Sequence, residues 1–432
     1  MKDSKDIYFS ELGELSLEKN IDLGAGGLIF ADNANWHIES NDFWFVHAGI
    51  YTGLNSLVVY DVKTLDNDFL HKIGEGRLII TSSSPNSGLR VGAEAVDLES
   101  DFLSFKELYL TSGCATVKIK SSNNINTDFV YFGSRGGALD INGNELSFAR
   151  IFVSDNGANI INSSTKKASL KLTQGCGGAN TLSACSGLND YAYHGNIISK
   201  EGGIDIKAGF KDKALIFDGN IDNANGLMSF KDGLLSFQGH PVLHAYVDEN
   251  MKLKLDSMGI GEGVFTSPTT FTQADWEDRV FKLKELSLEN ASFMGQLSSI
   301  NSSIVLGSKE LYIDKKDGEN VSTKISSGNN SALGNPSYTA GNTMRFEQDL
   351  LKGQSLNTGV KFIGKLELYN SKASIDNVDM QADIKAHSGT NDISVLNSNI
   401  KGNIENLSSL NLRLSNTTFY GDIKNTNELE LS

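Results

Sequence analysis

Apolar and polar residues alternate one by one along most of the chain. "SLVVYDVKT", "GRLIITS", "ATVKIKSS", "LDINGNELSFARIFVS" and "KLELYNSKASID" all carry this period of two. It places successive side chains on opposite sides of a strand, so each stretch reads as a short half-buried strand. Gly, Asn and Asp separate the strands. With 43 Gly against 4 Pro, the chain suits many tight turns, because Gly and Asn both tolerate positive φ. A helical stripe is scarce. In "QADWEDRVFKLKEL" (273–286), Trp276, Val280 and Leu283 fall on one helical face. The same residues also read as a strand after a turn.

Near the C-terminus the strands repeat. "ASIDNVDMQADIKA", "SVLNSNIKGNIEN" and "LRLSNTTFYGDIKN" align without gaps, the second entering one position later. Met380, Ile400 and Phe419 become equivalent, two residues before the small residues Ala382, Gly402 and Gly421. Ile384, Ile404 and Ile423 take the next inward position, and the spacings are 20 and 19 residues. "LSLENASFMGQL" carries the same pattern at Phe293, Gly295 and Leu297. A period near 20 with strand patterning predicts one coil of a β-solenoid per repeat. A single coil cannot bury its inward residues, so neighbours stack around a shared core. Coils throughout would number about 22 and make a rod roughly 100 Å long, less any loops. Residues 172–194 ("LTQGCGGANTLSACSGLNDYAYH") break the pattern and read as a loop excursion.

Composition narrows the partners. Hydrophobic residues at 39% and charged residues at 21% allow a buried core and exclude a disordered tail. The net charge of −15 argues against nucleic acid, whose binding relies on Lys and Arg displacing counterions. No apolar stretch approaches the roughly 20 residues of a membrane-spanning helix, and the N-terminus lacks the apolar core of a signal peptide. Cys114 stands apart, whereas Cys176 and Cys185 sit in "CGGANTLSAC". That pair could form a disulfide, closing a small ring for up to about 2.7 kcal/mol. Two free thiols are the alternative, so the compartment stays open.

"HKIGEGRLIITSSSPNSGLRVG" (71–92) has the look of a phosphate loop, with Gly74 and Gly76 beside Lys72, Arg77 and Arg90. A dinucleotide loop needs a third glycine and then a helix. Here Ile79 holds the third position, and a strand former follows, so the glycines read as a turn between strands.

At this point the sequence resembles a family. The stretch 71–92 is similar to a segment in the passenger domains of serine-protease autotransporters, the immunoglobulin A protease-like family. Four more stretches match in the same order: "LGAGGLIFADNANWHIESNDFWFVHAGIYTG" (23–53), "YFGSRGGALDINGNELSF" (131–148), "LSFQGHPVLHAY" (235–246) and "FTQADWEDRVFKLKELSLENASF" (271–293). Beyond Ile300 the likeness is one of architecture only. The resemblance implies an all-β fold, a right-handed parallel β-helix. It divides the chain into a stalk segment over 1–300 and further coils with 19–20-residue repeats over 301–432. It also implies an upstream protease domain, a C-terminal β-barrel translocator and a place at the cell surface or outside the cell. The family's G-D-S-G nucleophile motif is absent from this sequence, and neither the protease domain nor the barrel is expected within it. Host surface proteins or glycans are the implied partners; no cofactor is expected.

Individual candidates carry less. Ser134 in "GSRGG" lacks the preceding Asp of that motif. His240 and His244 in "HPVLH" have zincin spacing, but Pro241 stands among them, where a metalloprotease needs a general-base Glu and a helix. His71 reads as a turn histidine. Trp36, Phe43, Trp44, Phe45 and Tyr51 would stack on sugars or a protein if exposed, or close one end of the rod if turned inward. No calcium-binding nonapeptide repeat is present. Three functions follow: a non-catalytic stalk of a serine-protease autotransporter that displays the protease domain and adheres, a stand-alone β-helix adhesin, or a glycan-degrading β-helix enzyme using carboxylates such as Asp205, Asp218 and Asp222 on one face. No catalytic, cofactor or metal residue is assigned.

Overall fold

The computed structural model describes residues 5–133, 136–149, 151, 157–173, 191–193, 195–209, 214–217, 219–244, 273–295, 305–306, 310–316, 320–326, 344–345, 360–425 and 428–431. Among these the regular structure is β, with two short 3-10 turns, Ser122–Asn124 and Thr127–Phe129, and no α-helix. Cys176, Cys185, Ser134, Asp218 and Leu297 lie outside the described residues.

The strands form parallel ladders running the length of the stack. One ladder joins seven strands, from Ile7–Phe9 through Leu28–Phe30 and Ile50–Thr52 to Val130–Phe132. Another begins at Leu12–Ser16 and continues, rung on rung, to Thr418–Tyr420. Each coil turns at corners, so its strands lie on different sides of one solenoid and every rung hydrogen-bonds the rungs above and below.

Register makes columns. Val58, Leu78, Val96, Val117, Leu139, Ile160, Ile197, Ile221, Phe281, Phe362, Met380 and Ile400 occupy one inward column in consecutive rungs. All of them are buried. Burying each stabilises the rod by about 1.5–3 kcal/mol against the entropy of ordering the coil. In the middle of the rod the core becomes aromatic: Phe237 stacks on Phe281 at 4.3 Å and meets Phe293 edge-on at 5.4 Å.

The corners use asparagine as the turn chemistry requires. Among the described residues, ten of the thirteen non-glycine residues with positive φ are Asn, whose short amide tolerates the left-handed region. Stacked corners bond to one another: Asn370 Nδ2 donates to Asn290 Oδ1 at 3.0 Å, and Asn416 Nδ2 to Asn397 Oδ1 at 2.6 Å.

Several expectations change. The C-terminal equivalences hold, with Met380 facing Ile400, Ile400 facing Phe419, and Ile384, Ile404 and Ile423 in line. Phe293 does not join them. It faces Ala373, which faces Ile393, on a different side of the coil; Phe281 and Phe362 stand in the Met380 column. The similarity of the Phe293 segment reflects a shared corner pattern rather than a shared side. The stretch 273–286 is not helical: Gln273–Glu277 and Arg279–Met294 are strands, the first pairing antiparallel with His240–His244.

Fewer rungs stack than the 22 that uniform coils would make. Among the described residues the long ladder holds fifteen strands, which at ~4.8 Å each gives roughly 70 Å. Among the described residues, three pairs of neighbouring rungs are far apart in sequence: Ile160 and Ile197, Ile221 and Phe281, and Phe281 and Phe362. Most of the anticipated excursion, residues 174–190, lies outside the described residues. Thr173 still pairs with Gly209, and Tyr191 rejoins beside Leu215, so both ends are tighter than expected. Within 301–359, Glu310–Lys316 and Asn320–Ser326 pair antiparallel. A short connection permits only that pairing, since a parallel rung needs a full coil between strands. The regular coils resume at Val360.

Gly402 tests the close approach between rungs. Its φ is +149°, and a Cβ there would meet the Ala382 carbonyl oxygen at 2.0 Å. Gly402→Ala is expected to lower stability by about 2 kcal/mol or more, measured by urea unfolding. An unchanged midpoint would show that the two rungs can separate at no cost.

Candidate functional surfaces

The glycine-rich stretch turns out to be structural, and its three cations are all engaged. The strand Phe69–Ile73 ends at Gly74, whose φ is +90°, and Arg77–Ile80 starts the next side. Lys72 faces Ile50 and Val91, so it points into the rod with the parity of Leu70. It is fully buried. Its Nζ donates to the carbonyls of Gly74, Gly76 and Ala93 at 2.8, 2.7 and 2.7 Å, and Thr52 Oγ1 reaches the Gly76 carbonyl at 3.0 Å. The ammonium thus completes a corner whose carbonyls turn inward. Arg77 pairs with Asp97, and Arg90 lies 4.0 Å above the Phe69 ring. No cation of the stretch is free to hold a phosphate. His71 lies on the outer side facing Arg90, and burial with the Arg90 charge lowers its pKa.

The aromatic cluster divides between core and surface. Phe45 is buried and Phe43 packs against the core. Trp36 faces Gly13 and meets Phe9 edge-on at 4.8 Å, its ring so close that a Cβ on Gly13 would collide with it. The cluster therefore thickens the core at the first described rungs, while Tyr51 stays exposed. His47 sits behind it, its Nε2 3.2 Å from the Tyr60 hydroxyl. Burial pulls its pKa down to about 4, against the opposing effects of the Gly49 backbone and Asp68.

The remaining candidates do not assemble into a reactive centre. His240 and His244 lie in an extended strand, where four residues span about 13 Å, too far for one metal. No group of three or more His, Cys, Asp or Glu side chains among the described residues could hold a metal. Cys114 is free and exposed. Asp205 lies 3.3 Å from Lys167, and Asp222 lies 3.6 Å from Lys282. Similar pairs link rungs elsewhere, such as Lys385–Glu405 at 3.3 Å and Arg413–Glu430 at 3.2 Å. Each is worth little alone. Together they keep like charges from stacking directly on a chain of net charge −15.

No family model matches the chain. The serine protease EspP of Escherichia coli is 30% identical over 442 residues, covering 91% of this chain and 32% of EspP. Its sequence relatives are serine protease autotransporters. This chain spans about a third of the length of those curated relatives. The match covers more of the chain than residues 1–300 contain, so the autotransporter likeness continues into the region beyond Ile300, which the motifs alone had left as architecture. The crystal structure of the Haemophilus influenzae Hap adhesin superposes with a TM-score of 0.68 at 22% identity, over 97% of this chain and 46% of Hap. The passenger domain of plasmid encoded toxin from enteroaggregative Escherichia coli gives 0.57 at 20% identity, over 98% of this chain and 51% of that one. Both share the autotransporter passenger β-helix.

Two buried groups give pH predictions. Burial draws the Lys72 pKa down to about 8, partly opposed by Glu94, so the unfolded chain holds that proton to higher pH. Stability should therefore rise from pH 8 towards 10 in the native chain and not in Lys72→Met. At pH 7 that variant, removing the ammonium from three inward carbonyls of which only Gly76 keeps another donor in Thr52, should already be about 2 kcal/mol less stable. A constant gap between the two across this range would count against the linkage. His47 works on the acid side. The unfolded imidazole takes a proton near pH 6.5 and the folded one only near 4, so stability is full above 6.5 and falls towards 4. His47→Gln should remove about 2 kcal/mol of that loss, less than the full shift because the ring keeps some solvent contact. Superimposable acid limbs in urea midpoints would refute it.

Proposed function

We propose that the chain is a stalk segment of a longer surface or secreted serine protease autotransporter. It holds a catalytic domain away from the membrane and itself adheres to host surfaces. The observation that carries this reading is the continuous inward column from Val58 to Ile400, which makes a stiff rod without a reactive cleft along that column. The match to EspP supports the protease context, and the likeness to the Hap adhesin fits the adhesive role. On this reading the protease domain and the β-barrel translocator belong to the full-length protein, and the rod works outside the cell. Ion pairing of Asp205 and Asp222 leaves neither placed as the free acid and base that glycan cleavage needs.

The test uses the purified chain on epithelial cell monolayers, with a serine-reactive fluorophosphonate in parallel. Saturable adherence without labelling is expected. Covalent labelling, or cleavage of an acidic glycan such as pectin, would overturn the non-catalytic assignment, and adherence no greater than that of an unrelated β-helix would overturn the adhesive one.

A further inference from the structure

We propose that a cleft beside the double 3-10 turn binds a neutral oligosaccharide. The proposal rests on the adhesive part of the function above and gives it a location. Between Ile119 and Val130 the coil widens into the turns Ser122–Asn124 and Thr127–Phe129. These form one wall. The segment around Phe102 from the preceding rung forms the other, and the cleft opens onto the strand Glu145–Phe148. It is an open groove of about 620 Å³, a volume within the ~300–1,000 Å³ of typical small-ligand sites.

Its lining suits a sugar. Ile125 and Leu146 are buried and make an apolar floor. Phe102 is 70% exposed, a ring available to stack on the apolar face of a pyranose. Asn123 and Thr127 bring side-chain donors and acceptors that have no partner among the described residues. Elsewhere on the rod such groups are consumed by rung-to-rung ladders, as at Asn370 and Asn416.

Charge selects among ligands. The Asp101 carboxylate is held by Lys120 at 2.8 Å, whereas Glu145 has no cation among the described residues. One uncompensated carboxylate repels sialylated or sulfated glycans, yet it is too little to capture a basic peptide. It can accept hydrogen bonds from sugar hydroxyls.

The walls are fixed before any ligand arrives. Asn124 is fully buried, and its Oδ1 accepts from the Lys120 and Ser121 amides at 3.0 and 2.8 Å. Its Nδ2 donates to the carbonyls of Ser100 and Phe102 at 2.6 and 3.1 Å. One side chain therefore ties the 3-10 wall to the Phe102 wall, which lowers the ordering cost of binding.

The purified chain is screened on an array of neutral, sialylated and sulfated oligosaccharides, and the strongest neutral binder is titrated calorimetrically. Saturable binding of a neutral glycan is expected, weakened at least about ten-fold by Phe102→Ala and unaffected by Tyr51→Ala, an exposed aromatic elsewhere. Circular dichroism and melting curves establish that each variant is folded; should Phe102→Ala be unstable, Asn123→Ala replaces it with the same expected direction. The proposal is overturned if no neutral glycan binds at ~100 µM protein, if charged glycans or an oligolysine peptide bind more tightly, or if folded cleft variants bind normally. Cell adherence that survives Phe102→Ala overturns the cleft alone and leaves the adhesive stalk intact, whereas glycan binding without any cell adherence overturns the adhesive stalk and leaves the cleft.

Discussion

Every rung of this rod satisfies its backbone only through the rungs on either side. Parallel strands hydrogen-bond along the axis, and the same register must be kept from coil to coil, or the inward set of side chains would turn outward. That constraint makes each column chemically uniform. Inward columns are aliphatic or aromatic, corner columns carry Asn in the left-handed region, and outer columns alternate charge between rungs. The stability of the rod is then close to a sum of neighbour interactions, which suits a spacer that must stay straight over many coils.

Departures from uniformity are informative because the columns are so regular. Lys72 sits among apolar neighbours, and the corner beneath it is rebuilt so that three carbonyls turn inward to meet the ammonium. The middle of the rod replaces branched aliphatics with phenylalanines that stack across rungs. The double 3-10 turn inserts extra residues at one corner, and Asn124 closes the backbone bonds that the insertion would otherwise leave open. In each place a local break in the pattern is matched by a specific polar or aromatic solution, as buried polar groups require.

The outer surface explains how an acidic chain can stack at all. Carboxylates lie opposite lysines of the next rung, at Asp222 and Lys282 or Glu405 and Lys385. These pairs neutralise some of the acidic side chains across neighbouring rungs. A mixed groove with the uncommitted Asn123 amide, the Thr127 hydroxyl and an open aromatic ring stands out against that background.

Much of this was legible from residue order alone. Period-2 alternation, the 19–20-residue repeat and the Asn-rich turns determine an all-β solenoid, because strand parity and turn conformation are local properties of the chain. The same local logic placed Met380, Ile400 and Phe419 in one column. It failed for Phe293, because all sides of a coil share one alternation and only the stacked neighbour reveals which side a strand occupies. It left 273–286 undecided between helix and strand, a choice made by pairing: Gln273–Glu277 antiparallel with His240–His244, and Arg279–Met294 parallel with the rungs on either side. The cations of 71–92 were visible in the sequence, but that Lys72 turns inward follows from its pairing with Ile50 and Val91. Their engagement, and the joining of Phe102, Thr127 and Glu145 around one cleft, depend on contacts between successive rungs, which only the tertiary stack brings together.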